Sequence, residues 1–77
     1  MLKLTIYTKF DCYWCDEAKS LAKERDIQFT ECDVGDESVK QHLKKIKPDV
    51  KTVPQIWDGD VYIGGYEELK EYLNNEQ

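Results

Sequence analysis

The sequence predicts an α/β domain in which three helices flank a four-stranded mixed sheet, in the order βαβαββα. Apolar residues recur at every second position in some segments and at helical spacing in others, and the two kinds of segment follow one another in that order. An Asp58-Gly59 pair separates the last two strands, which is typical of a two-residue β-hairpin. The first strand–helix–strand unit requires parallel strands, whereas the hairpin is antiparallel, so the sheet is mixed.

A strand, a helix and a second strand are expected in the first half of the chain. Leu2, Leu4 and Ile6 alternate with more polar residues, as in a strand with one buried face. Ala18 and Leu21 recur at helical spacing, with charged residues on the opposite side. The expected boundaries are residues 2–7 for the first strand, 8–11 for a loop, 12 to about 25 for the helix and 27–32 for the second strand.

The second half is expected to contain a helix, a β-hairpin and a last helix. Asp36 is a suitable N-cap for the first of these helices, and Pro48 stops it. Val39, Leu43 and Ile46 form its apolar stripe. The other expected boundaries are residues 54–57 and 60–63 for the hairpin strands and 66–73 for the last helix. This arrangement of helices implies that both faces of the sheet are covered.

Composition indicates a single domain spanning residues 1–77. The chain is 40% hydrophobic, enough for one core, and its 35% charged residues form a solvated surface. A net charge of −5, without a basic stretch interleaved with aromatics, disfavours nucleic-acid binding. No apolar run approaches the roughly 20 residues that span a bilayer. The first residues also lack signal-peptide architecture, so a cytoplasmic protein without membrane association is expected.

Cys12 and Cys15 carry the chemistry that the sequence predicts. They lie one turn apart at the start of a helix, close enough for a disulfide, and the positive end of the helix stabilises a thiolate at Cys12. A Cys-x-x-Cys pair beside a βαβ unit favours redox chemistry, with Cys12 as exposed nucleophile and Cys15 as buried resolving thiol. The alternative is zinc binding, since Cys32 and His42 would complete a Cys₃His set, although these two lack paired spacing.

Two further segments accompany the cysteine motif. The three segments are Lys9-Phe10-Asp11-Cys12-Tyr13-Trp14-Cys15, Thr52-Val53-Pro54 and Ile63-Gly64-Gly65-Tyr66-Glu67-Glu68-Leu69. With this order and spacing, the chain resembles a glutaredoxin from residue 4 to residue 73. The resemblance implies a thioredoxin fold and a redox disulfide between Cys12 and Cys15. It also implies a cis peptide bond before Pro54, which leaves the backbone of Val53 free to pair with an extended thiol peptide.

A glutathione-binding groove follows from the same resemblance. Its expected residues are Lys9, Tyr13, Trp14, Gln41, Lys51, Thr52, Val53, Pro54, Gly64, Gly65, Tyr66 and Glu67. By family position, Lys9, Gln41 and Lys51 lie near the glycyl carboxylate. The γ-glutamyl carboxylate is expected at the free N–H groups after Gly65, and Glu67 stands where many members have an aspartate for the γ-glutamyl amine.

The resemblance implies a monomeric, metal-free, glutathione-dependent thiol–disulfide oxidoreductase. Its expected partners are glutathione, disulfide-containing proteins and glutathionylated proteins, with ribonucleotide reductase as a family-level example. Two alternatives stay open: a glutaredoxin-like hydrogen donor served by thioredoxin reductase, and a carrier of a glutathione-ligated iron–sulfur cluster. Tyr13 and Trp14 stand where the family often has proline and tyrosine, so the reduction potential does not carry over from the family.

Overall fold

The computed structural model of the chain describes residues 2–75 and contains the predicted sequence of elements. These are β1 (Lys3–Thr8), α1 (Tyr13–Glu24), β2 (Gln28–Asp33), α2 (Glu37–Ile46), β3 (Gln55–Asp58), β4 (Val61–Gly64) and α3 (Tyr66–Asn75). Over the described residues, none of these helices has the length and hydrophobicity that a bilayer-spanning segment requires. The order of these elements, βαβαββα with three helices, is as predicted.

The sheet is mixed, with the strand order β2-β1-β3-β4. β1 runs parallel to β2 and antiparallel to β3, and β3 pairs antiparallel with β4. The register places Tyr7 opposite Gln55 and Ile56 opposite Gly64. The end of β1, the start of β3 and the end of β4 therefore lie side by side at one end of the strands. This brings together three segments that are distant in sequence.

All four strands begin and end one residue later than expected. Thr8, expected in a loop, is the last residue of β1 and is almost fully buried. In the hairpin, Asp58 pairs with Val61, so the turn consists of Gly59 and Asp60, and the prediction of an Asp58-Gly59 turn is wrong by one residue. The physical reason is that the first residue of this turn has a left-handed backbone angle, φ 59°. Glycine adopts this angle without strain, so the turn begins at Gly59.

The main core lies between the sheet and a layer formed by α1 and α3. Its buried residues are Leu4, Ile6, Ala18, Leu21, Ala22, Ile56, Leu69 and Leu73. Ile27 and Phe29, expected on one strand face, are partly buried against this core. The apolar stripes of α1 and α3 therefore meet the same sheet face, and this packing holds the N-terminal ends of both helices in place.

Helix α2 covers the opposite face of the sheet only in part. Asp36 caps it as predicted, since its carboxylate accepts a hydrogen bond of 2.9 Å from the Ser38 N–H. A hydrogen bond from the Ser38 hydroxyl, followed by this one from the Ser38 N–H, lowers the pKa of Asp36. Leu43 is buried and Val39 half-buried, whereas Ile46, the third residue of the predicted apolar stripe, is 43% exposed. Ile46 instead borders an open pocket that also contains Trp57.

Candidate active site

The two cysteines of the motif are joined by a disulfide at the start of α1. Cys12 is the N-cap residue, and the Cys15 N–H lies 3.2 Å from the Cys12 Sγ atom and points at it. The Cα atoms are 5.2 Å apart, within the range for a disulfide. Because a backbone N–H and the helix N-terminus both face this sulfur, negative charge is stabilised at Cys12 when the disulfide is reduced.

Burial ranks the two cysteines in the predicted order. Cys15 is 1% exposed and Cys12 is 9% exposed. Cys12 is therefore the more accessible of the two residues, but both are buried, so the expectation of an exposed Cys12 is wrong for the disulfide form. In this form Cys12 is bonded to Cys15 and lies against Val53. Around it, Phe10 is 92% exposed and Tyr13 is 65% exposed. An incoming disulfide thus meets apolar side chains on its way to Cys12.

The Val53–Pro54 segment lies beside Cys12. Its peptide bond is cis, as the resemblance implies. The carbonyl oxygen of Val53 is 3.8 Å from the Cys12 Sγ atom, and among residues 2–75 no backbone hydrogen bond uses the N–H or C=O of Val53. The neighbouring Thr52 carbonyl is held by the Gln55 side chain at 2.9 Å. A substrate backbone can therefore pair with Val53 directly next to the reactive sulfur.

A cleft of about 690 Å³ extends from Val53 toward the N-terminus of α3. It is lined by Trp14, Thr52, Val53, Pro54, Gln55, Tyr62, Ile63, Gly64, Gly65, Tyr66, Glu67 and Glu68. The rings of Trp14 and Tyr66 pack with centroids 5.3 Å apart and form one wall. Tyr13 packs edge-on against Trp14 and does not line the cleft. The volume is within the range of small-molecule binding sites.

The two glycines form the far end of this cleft. Gly64 ends β4 with φ 129°, a backbone angle that favours glycine. The Gly65 N–H donates a hydrogen bond of 2.9 Å to Glu68 Oε1, which caps α3. The N–H groups that remain for an anion are those of the next residues, Tyr66, Glu67 and Glu68, because the first intrahelical hydrogen bond is donated by the Leu69 N–H. Glu67 lines the cleft and is exposed.

A second pocket of about 250 Å³ lies on the other side of Val53. It is lined by Lys9, Val34, Lys40, Leu43, Lys44, Val50, Lys51, Thr52 and Val53, and we refer to it as the lysine pocket. Lys9 and Lys51 thus line the same pocket, and their role at the glycyl carboxylate stays a prediction. Gln41 lines neither the cleft nor this pocket; its amide hydrogen-bonds to Glu37 at 2.7 Å, and its role at the glycyl carboxylate stays a prediction.

Sequence reasoning missed Lys40 and Lys44 as residues of this site. The signal was present, since these lysines are four residues apart and therefore share one side of α2 with the buried Leu43 between them. Their proximity to Lys9 and Lys51 depends on how α2 packs, which no local pattern specifies.

A polar network joins β1, α1 and β2 near the cysteines. Glu31 Oε2 accepts hydrogen bonds from the Thr8 hydroxyl at 2.7 Å and from Lys19 Nζ at 2.9 Å, and Lys19 also lies 3.7 Å from Asp16. The hydrogen bond from Lys19 is the main cause that lowers the pKa of Glu31, followed by that from Thr8. Lys19 lies one turn after Cys15, so the network ties the helix of the cysteines to the sheet.

The pKa shifts of this network predict a loss of stability in acid. Because the pKa of folded Glu31 is below its ordinary value of 4.5, its contribution is present above that value and is lost as the pH falls through the folded pKa. Glu31→Gln should lower the free energy of unfolding at pH 7 by no more than about 1 kcal/mol, since the pair is partly exposed. Urea unfolding from pH 7 to 2 should show the two proteins converging in acid. Glu24→Gln, on the exposed side of α1, should track the wild type throughout; a gap for Glu31→Gln that persists at pH 2 would contradict the prediction.

The third cysteine and the histidine do not join the motif. Cys32 is a free, half-buried thiol on β2, and burial, followed by the charge of Glu31, raises its pKa. A raised pKa keeps the thiol protonated and unreactive. His42 is exposed on α2 and lies at the open pocket near Trp57. Within residues 2–75 no three histidine, cysteine or acidic side chains are grouped so that they could hold a metal ion, so the Cys₃His set is not assembled.

These features define the class of the protein: it is a thioredoxin-fold thiol–disulfide oxidoreductase whose redox pair is Cys12 and Cys15. A family model described as Glutaredoxin matches residues 4–63. The glutaredoxin of Pseudomonas aeruginosa is 37% identical over 71 residues, which cover 90% of this chain and 82% of that protein. The chain belongs to the glutaredoxin family.

Solved structures agree with this assignment. Glutaredoxin 1 from Francisella tularensis, crystallised with cacodylate, superposes with a TM-score of 0.80 at 30% identity, covering 97% of this chain and 95% of that one. The buckwheat glutaredoxin–glutathione complex has a TM-score of 0.79 at 19% identity, covering 97% of this chain and 71% of that one. The second comparison shows the shared thioredoxin fold.

Proposed function

We propose that the protein uses glutathione to reduce protein disulfides and protein–glutathione mixed disulfides. The observation that carries this proposal is the contact of Cys12 with Val53, a residue that lines two pockets of opposite charge. Glu67 and Glu68 line the cleft, whereas four lysines line the lysine pocket. Thr52 and Val53 line both, and the carbonyl of Val53 faces Cys12.

Glutathione fits this charge distribution along its length. Its glycyl carboxylate suits the lysine pocket, and its γ-glutamyl amine suits the acidic end of the cleft. Its γ-glutamyl carboxylate suits the free N–H groups at the start of α3. The cysteinyl sulfur between them then lies at Cys12, with its backbone paired to Val53. A glutaredoxin of the same fold, that of buckwheat, is known as a glutathione complex.

The roles of the two cysteines in the reaction follow from their relative burial. The Cys12 thiolate attacks one sulfur of a protein disulfide, and the other sulfur leaves as a thiolate that takes up a proton. Cys15, next to Cys12 and buried, then attacks the Cys12 sulfur, releases the second substrate thiol and forms the Cys12–Cys15 disulfide. Two glutathione molecules reduce this disulfide and leave as glutathione disulfide. Two electrons pass from glutathione to the substrate in each cycle.

A glutathionylated substrate needs only Cys12. The Cys12 thiolate attacks the sulfur of the bound glutathione, and the substrate protein leaves as a thiol. A second glutathione then attacks this sulfur, forming glutathione disulfide and regenerating Cys12. Specificity for this route comes from the groove, which holds the glutathione moiety on both sides of its cysteine.

The source of electrons distinguishes this proposal from a hydrogen donor served by thioredoxin reductase. The oxidised protein should be re-reduced by NADPH with glutathione and glutathione reductase, because glutathione has complementary groups at both ends of the groove. NADPH with thioredoxin reductase should act at least about 10-fold more slowly, because no equivalent groove contact is expected. Thiol trapping at timed intervals measures both rates. Rapid reduction by thioredoxin reductase alone, with glutathione inactive, would replace the proposal by its rival.

A further inference from the structure

We propose that the lysine pocket docks an acidic segment that follows the target cysteine in a polypeptide substrate. This inference rests on the proposed function, because it uses the orientation in which glutathione lies across Val53. Glycine follows cysteine in glutathione, and its carboxylate is assigned to the lysine pocket. In a protein substrate with the same orientation, the residues after the cysteine therefore run into that pocket.

The pocket contains more positive charge than glutathione can neutralise. Lys9 and Lys51 approach from the loops, and Lys40 and Lys44 approach from one side of α2. A single glycyl carboxylate can pair closely with only one or two ammonium groups, because each close pair requires an N–O distance of about 3 Å. The remaining lysines are available to further carboxylates along a longer chain.

No carboxylate of the described residues forms an ion pair with these lysines. The ion pairs found within residues 2–75 involve Lys19 and Lys47, and none involves a lysine of the pocket. This concentration of positive charge contrasts with the chain as a whole, whose net charge is −5. An acidic segment would be repelled by most of the surface and attracted to this pocket, which favours one binding position.

The surroundings of the pocket suit a polypeptide. Its floor includes Leu43, Val34 and Val50, so the aliphatic stems of the lysines and a substrate side chain have an apolar surface to contact. On the approach to Cys12, Phe10 and Tyr13 expose most of their ring surface. Exposed aromatic side chains beside a reactive group are typical of protein interaction sites.

Two matched peptides test the proposal. Both contain one cysteine in a disulfide with 5-thio-2-nitrobenzoate and an amidated C-terminus; one continues Asp-Glu-Asp after the cysteine and the other Asn-Gln-Asn. In protein that has been reduced beforehand and freed of reductant, the Cys12 thiolate attacks the peptide sulfur and releases the coloured thiolate. The appearance of this thiolate gives a second-order rate constant with no glutathione present. At low salt the acidic peptide should react about 10-fold faster, and the ratio should fall toward one near 0.5 M salt.

Variants identify the residues responsible. The double variant Lys40→Gln/Lys44→Gln should reduce the acidic-to-neutral rate ratio to about 2 or less, because half of the pocket charge is removed. Lys45→Gln/Lys70→Gln removes the same charge from exposed positions outside the pocket, one of them on α2, and should retain the ratio. The docking proposal would be overturned if the wild type reacted equally fast with the acidic and the neutral peptide, or if Lys40→Gln/Lys44→Gln left the acidic-to-neutral rate ratio unchanged. Neither result would affect the proposed function. Failure of the wild type to react with either peptide would overturn the proposed function as well.

Discussion

Cys12→Ser is expected to abolish the reduction of both protein disulfides and glutathionylated substrates, with a loss of roughly 10³-fold or more. Serine retains the shape of the side chain but is not a thiolate nucleophile at neutral pH. No neighbour can replace the lost sulfur, because Cys15 is 1% exposed and Cys32 lies on β2 as a separate thiol. The measurement is NADPH oxidation coupled through glutathione and glutathione reductase. Substantial turnover without Cys12 would show that another group performs the exchange.

Cys15→Ser separates the two routes of the same active site. Reduction of protein disulfides should fall strongly, since the mixed disulfide at Cys12 is no longer resolved from within the protein. Deglutathionylation should persist, since its second step uses free glutathione. Cys32→Ser is the matched control and should leave both reactions unchanged, because the raised pKa of Cys32 keeps that thiol protonated. Loss of both reactions in Cys15→Ser would indicate that Cys15 also acts in the first step.

Periodicity predicted the fold because each element has a local signal. The alternation around Leu4 and Ile6 marks a strand, and the glycine at position 59 marks a hairpin. The signals locate elements but not their ends: the strands are displaced by one residue because pairing partners decide where a ladder stops. Ile46 shows a further limit, since helical spacing alone does not show how much of α2 the sheet covers.

The candidate site was predictable where it is carried by motifs and unpredictable where it depends on packing. Cys12, Pro54 and Gly64 belong to recognisable segments, and the structure brings these segments to one end of the strands. Lys40 and Lys44 have no motif, and only the placement of α2 beside Val53 shows their relation to the active site.

Gly64→Ala is expected to destabilise the protein by about 3 kcal/mol, from two physical causes. The residue has φ 129°, a conformation that L side chains rarely adopt. A Cβ atom at this position would lie 2.8 Å from both Cβ and Cγ of Glu68, so the start of α3 must shift and the Glu68 cap on the Gly65 N–H is disturbed. For a domain of this size, such a loss is a large part of the total stability.

Gly59→Ala provides the matched control for the backbone contribution. Gly59 also has a positive φ, 59°, but a Cβ atom there would have no heavy atom within 4 Å. Its cost should therefore be only about 1 kcal/mol, the penalty of a left-handed conformation for alanine. Urea unfolding of the oxidised proteins gives both free energies, and equal losses would show that the contact with Glu68 contributes nothing. Gly64→Ala is expected to lose more free energy of unfolding than Gly59→Ala and also to slow disulfide exchange at Cys12. Both results together would show that the close approach of Gly64 to Glu68 also shapes the end of the cleft.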